Sequence, residues 1–140
     1  MEVSNKVERL RNGLYGGDVF DAHCPSRVLL DHVTSRWGVL ILVALSGRTM
    51  RWGELHRWVG GISEKMLAQT LRTLEADGLV HRDARAVVPP HVDYSLTDTG
   101  REVADLLLPL MTWISSHASD IISESGSAGA GAGARVGATA

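Results

Sequence analysis

The stretch "GGISEKMLAQTLRTLEADGLV", residues 60–80, decides how the rest of the chain is read. Gly60-Gly61 makes a turn, Ser63 is a good N-cap, and Glu64 lies where a helix dipole favours negative charge. Leu67, Leu71 and Leu74 recur at i, i+4 and i+7, so they form one buried face. Lys65, Gln69 and Arg72 fall on the opposite face, with Ser63, Met66 and Thr73 near its edges, and Gly78 ends the helix. The pattern describes a helix anchored on one side that presents hydrogen-bonding side chains on the other.

Upstream, "GELHRWVGG" (53–61) reads as a two-turn helix with Leu55, Trp58 and Val59 inward, and "RTMRW" (48–52) as a small strand. "SRWGVLILVALSG" (35–47) holds Trp37, Leu40, Ile41, Ala44 and Leu45 at helical spacing. "CPSR" (24–27) opens another helix, with Pro25 at its first position and Val28, Leu29 and Val33 as its buried stripe. Residues 1–20 form an N-terminal extension. It carries a short amphipathic helix through Val3, Val7 and Leu10, ended by Gly13 and the Gly16-Gly17 pair. Downstream, "LVHRD" (79–83) and "HVDYSLT" (91–97) alternate as two antiparallel strands. "ARAVVPP" (84–90) joins them, and Pro89-Pro90 blocks further pairing.

The last helix opens at "LTDTGRE" (96–102), where Thr99 and Glu102 have capping-box spacing. Beyond it, Val103, Leu106, Leu107, Leu108, Leu110, Met111, Trp113 and Ile114 cover nearly every face, and Pro109 should kink the helix. A helix apolar all round needs burial on most sides, which points to a partner subunit. Leu107, Leu110, Met111, Trp113 and Ile114 are the expected dimer contacts. Residues 21–122 then make up the domain proper. The Gly/Ala-rich tail 123–140, "SESGSAGAGAGARVGATA", is expected to be disordered.

Composition bounds the function. With 140 residues, 44% apolar and 21% charged, this is an ordinary globular chain. One cysteine excludes an internal disulfide, and "VLILVAL" (39–45) is too short to span a bilayer. The expected location is cytoplasmic. The net charge of −2 hides an asymmetry: from Arg36 to His91 eight Lys/Arg face five acids, while the remainder carries six against eleven. A basic centre between acidic ends suits contact with a polyanion through the middle of the chain. No Gly-rich phosphate loop, paired catalytic carboxylates or nucleophile motif is present, so no enzyme is expected. His23 beside Cys24 has no second ligand pair at metal spacing, so neither metal nor cofactor is expected.

Two short helices joined by a glycine turn and followed by a hairpin describe a winged helix-turn-helix: mainly α, with a small β-hairpin wing. The second helix fits the major groove, where Ser63, Lys65, Met66, Gln69 and Arg72 are the candidate base-reading residues. Arg51 and Arg57 are candidate phosphate contacts, and Arg82, Arg85 and His91 serve the wing. The same segments resemble the HxlR family of bacterial winged-helix transcriptional regulators. The resemblance rests on "CP" at 24–25, "RWGVLIL" at 36–42, "RWGELHR" at 51–57, "GISEKMLAQTLRTLEADGLVHR" at 61–82, "VPPHVDYSLTDTGRE" at 88–102 and Trp113. It implies a homodimer joined through its first and last helices, with two copies of "SEKMLAQTLR" reading a pseudo-palindromic operator on double-stranded DNA and residues 79–96 as the wing. Three departures stand out: Gly38 where lysine is usual, Trp52 for phenylalanine as a bulkier core plug, and Arg85-Ala86 where an aromatic and an acid are common.

Cys24 stands at a helix N-cap, where free N–H groups favour negative charge on sulfur, with Arg27 one turn along. The family includes redox and electrophile sensors with a cysteine at this "CP" position. Cys24 is therefore the candidate redox-sensing residue, with a small electrophile or oxidant as inducer. Free cysteine is equally a small buried apolar residue. Two other functions remain open at this level: a regulator answering a non-covalent ligand at the dimer interface, and a protein-interaction module that has lost DNA binding.

Overall fold

A computed structural model describes residues 2–13 and 18–138, with side chains described through 126. Six helices and three strands follow in the order α1 (Glu2–Arg11), α2 (Pro25–Thr34), α3 (Arg36–Ala44), β1 (Met50–Arg51), α4 (Trp52–Trp58), α5 (Glu64–Ala76), β2 (Val80–Arg85), β3 (His91–Leu96) and α6 (Asp98–Ala138). Two compact units result, one ending at Asp105 and one beginning at Leu106. The Gly16-Gly17 stop expected after α1 lies outside the described residues, whereas Gly13 follows the helix with φ +69°.

The first unit is built around leucines. Ile41, Leu42 and Leu45 from α3 and its C-cap meet Leu55 of α4 and Leu67, Leu71 and Leu74 of α5, all essentially without solvent contact. Met50, Leu79 and Val80 close this core from the sheet side. Each such side chain contributes about 1.5–3 kcal/mol by leaving water. The sheet is antiparallel in the order β1-β3-β2: Met50 pairs with Tyr94, Arg51 with Asp93, and β2 with β3 from Val80–Leu96 to Arg85–His91. The short "RTMRW" strand thus joins the hairpin and makes the wing three-stranded.

Two glycines allow backbones to touch. A Cβ on Gly38 would lie 2.2 Å from the His32 carbonyl oxygen and 2.7 Å from Ser35 Oγ. Ser35 caps α3, its Oγ accepting from the Gly38 amide at 3.1 Å and donating to the His32 carbonyl at 3.0 Å. A side chain at position 38, lysine included, does not fit this junction. Gly100 lies still closer, and its Cβ would fall 1.9 Å from the Leu79 carbonyl oxygen.

Several expectations need correction. Val28 and Leu29 are 57% and 44% exposed while Val33 is half-buried, so most of the apolar face of α2 is uncovered by this chain. Trp58 is 64% exposed at the end of α4, its ring under the Arg48 guanidinium at 5.0 Å, because only Leu55 of that helix and its C-cap Val59 turn inward. Trp52 is half-buried and stacks on His56, with ring centroids 5.4 Å apart, rather than plugging the core. The last helix is capped by Thr97 instead of Thr99, since the Gly100 amide donates to Thr97 Oγ1 at 3.0 Å. Its backbone is helical through Ala138.

In the second unit Pro109 sits inside α6 without ending it. Leu106, Leu108, Leu110, Trp113, Ile114, Ile121 and Ile122 are exposed. Among the described residues no helix is long and apolar enough to cross a membrane.

Candidate nucleic-acid interface

Helix α5 is fixed at both ends by local chemistry. Gly61 adopts φ +83° in the turn from α4, and Ser63 Oγ accepts from the Met66 amide at 3.1 Å. At the other end Gly78, at φ +76°, forms a Schellman motif: its amide donates to the Glu75 carbonyl and the Leu79 amide to that of Leu74, both at 2.9 Å. With Leu67, Leu71 and Leu74 buried, the helix cannot rotate without exposing its anchor. Its outer row is consequently defined, and Ser63, Lys65, Met66, Gln69 and Arg72 are all exposed.

A second fixing point joins α2 to α5. His32 Nδ1 lies 2.7 Å from Asp77 Oδ2 at the C-cap of α5. Nothing in the spacing of residues 32 and 77 advertises this pair, which only the packing of α2 brings together.

The other candidates divide into two electrostatic groups. Arg51 and Arg57 are exposed, at the N-cap and on the last turn of α4. On β2, strand alternation sends Arg82 to one side of the wing, opposite Tyr94, and Arg85 to the other, opposite His91. Arg85 Nε approaches Asp83 Oδ2 at 3.5 Å and Asp93 Oδ2 at 3.4 Å, and His91 Nε2 lies 3.4 Å from the same Asp93 oxygen. These carboxylates offset much of the charge that Arg85 would bring to a phosphate. Neither Arg72 nor Arg82 has a carboxylate oxygen within 4.0 Å among the described residues. Asp93 is the residue that sequence reading passed over; the signal was register, because Asp83 and Asp93 become cross-strand neighbours only once the hairpin is aligned.

Cys24 is buried, at 8% exposure, as the N-cap of α2, and its thiol caps no amide. Arg27 does not serve it: the guanidinium donates to the carbonyls of Val19 and Phe20 at 3.1 and 3.0 Å. Of the expected dimer residues, Leu107 is buried, Met111 half-buried, and Leu110, Trp113 and Ile114 exposed.

A short helix, a glycine turn, a second helix with a polar outer row and a three-stranded wing define a winged helix-turn-helix, the architecture of a DNA-binding transcriptional regulator. Residues 32–121 match the HxlR-like helix-turn-helix family, and the chain belongs to it. It is 51% identical over 113 residues to a protein of Escherichia coli (strain K12) described as the uncharacterized HTH-type transcriptional regulator YtfH, covering 81% of this chain and 90% of that protein. The structure of YtfH from Salmonella typhimurium superposes with a TM-score of 0.72 at 52% identity, over 76% of this chain and 95% of that one. The redox regulator HypR, in its reduced form, superposes with a TM-score of 0.63 at 34% identity, over 71% and 98%.

Proposed function

We propose that this regulator acts as a cytoplasmic homodimer whose two α5 helices read the half-sites of a pseudo-palindromic operator. One observation carries the reading: Lys65, Gln69 and Arg72 are exposed together on a helix whose leucines are wholly buried. Gln and Arg on such a face can form paired hydrogen bonds to base edges, while Arg51, Arg57 and Arg82 supply the phosphate contacts that set register. Leu110, Trp113 and Ile114 on α6, and the uncovered Val28 and Leu29 of α2, are large apolar groups of the kind that a second subunit shields from water. The test is a mobility-shift titration with DNA flanking the protein's own gene, against random DNA at matched salt. Binding that is tighter on the flanking DNA and falls steeply with salt supports the reading. Equal affinity for both DNAs contradicts it.

A second element of the proposal concerns control. HypR is a redox regulator whose structure is known in oxidized and reduced forms, and Cys24 is the only thiol here. We read Cys24 as the trigger. Adduct or mixed-disulfide formation at its buried sulfur would place atoms where α2 packs and so disturb the dimer. Diamide should release DNA from the wild type and leave Cys24→Ser bound; release from both would remove Cys24 from the account.

A further inference from the structure

A cavity of about 640 Å³ lies between α5 and the wing. The helix contributes Ala68, Leu71, Arg72, Glu75 and Ala76 to its walls; the sheet contributes Arg82 and Tyr94. The register explains how the two arginines meet there. Arg82 stands opposite Tyr94 on the helix-facing side of the hairpin, and Arg72 is one turn before Glu75 on the facing stretch of α5. On the far side of the wing Arg85 is held by Asp83 and Asp93, and His91 Nε2 lies beside the same Asp93. Neither guanidinium that lines this cavity has a carboxylate oxygen within 4.0 Å among the described residues.

We propose that this cavity is an effector site for a small carboxylate with a flat, apolar, hydroxylated body, and that its occupation displaces DNA. The inference rests on the DNA-reading role of α5, because the ligand would engage two arginines assigned there to the operator. The chemistry selects the class. Two forked cations fit a planar carboxylate. Ala68 and Ala76, backed by the buried Leu71 and Tyr94, offer an apolar wall that inorganic phosphate could not use. Glu75 in the same wall disfavours a second negative charge and can accept from a ligand hydroxyl. The volume lies within the range of small-molecule sites, about 300–1,000 Å³. This site differs in place and chemistry from Cys24.

The experiment is calorimetric titration of sodium 4-hydroxybenzoate into the full-length chain without DNA. One saturable site is expected, with a Kd of about 1 mM or tighter. Arg82→Ala should weaken it by about tenfold or more, as loss of a charge-assisted hydrogen bond does. Ala76→Met, which fills the cavity and keeps both arginines, should weaken it similarly, while Arg85→Ala should bind the probe like wild type. In a companion measurement the probe should lower affinity for flanking DNA by the factor 1 + [L]/Kd relative to equal sodium chloride. Absence of saturable binding overturns the proposal. So does wild-type affinity in both Arg82→Ala and Ala76→Met, or probe binding that leaves DNA affinity unchanged. Because the titration contains no DNA, failure of the ligand site and failure of the DNA reading appear in separate measurements.

Discussion

Replacing Gly100 by alanine adds one methyl group and should cost far more than its size implies. The added Cβ would lie 1.9 Å from the Leu79 carbonyl oxygen and 2.9 Å from its carbon, both rigid backbone. The start of α6 must therefore move away from Leu79 by about 1 Å, since carbon–oxygen contacts under 3 Å are steeply repulsive. That movement strains two hydrogen bonds: the Thr97 amide to the Leu79 carbonyl (3.1 Å) and Thr97 Oγ1 to the Gly78 carbonyl (2.6 Å). Losing both removes about 2 kcal/mol, and overpacking costs about 1–3 kcal/mol. Alanine's better helix propensity returns about 1 kcal/mol. The net loss is about 2–4 kcal/mol, or about 8–16 °C in Tm for a chain of this length. Thermal unfolding followed by circular dichroism at one fixed protein concentration measures it, with the exposed Thr99→Ala as control. A Gly100→Ala chain that melts within 2 °C of wild type (about 0.5 kcal/mol) would refute the close approach of these backbones.

Gly38→Ala should lose about 1–2 kcal/mol in the same assay, because its methyl meets the His32 carbonyl and unseats the Ser35 cap that is itself worth about 1 kcal/mol; a stabilised variant would contradict this. Leu110→Glu should shift the chain to monomer in analytical ultracentrifugation while leaving its circular dichroism spectrum unchanged, and a persistent dimer would exclude α6 from the interface. Arg82→Ala should lower the salt-dependence slope of DNA binding by about one unit. Arg85→Ala should change it little because Asp83 and Asp93 already hold that cation, and equal slopes for the two variants would contradict the division of the wing.

Helix α5 was legible residue by residue because three leucines, one cap and one glycine agree on a single rotation, and the structure bears out all five. The seven-residue α4 gave less, since two turns do not define a stripe, and the amphipathic Trp58 was assigned inward when its ring lies outside beneath Arg48. On α2 the apolar periodicity was real, but a pattern identifies a face and not the chain that covers it; Val28 and Leu29 remain open in this chain. Thr97 and Thr99 were both plausible caps by composition, and the contact with residues 78 and 79 selected Thr97. Ion pairing in the wing could not be read at all, because Asp93 reaches Arg85 and His91 only through strand register. The cavity between Arg72 and Arg82 was hidden for the same reason.

The most direct measurement is the affinity of wild type and Gln69→Ala for the operator, for operators with each base pair changed in turn, and for random DNA. Gln69→Ala should lose about 1–3 kcal/mol on the operator, be insensitive to a change at one base pair that wild type discriminates, and bind random DNA as wild type does. Equal losses on operator and random DNA, or unchanged discrimination at every position, would contradict the assignment of α5 as the reading helix.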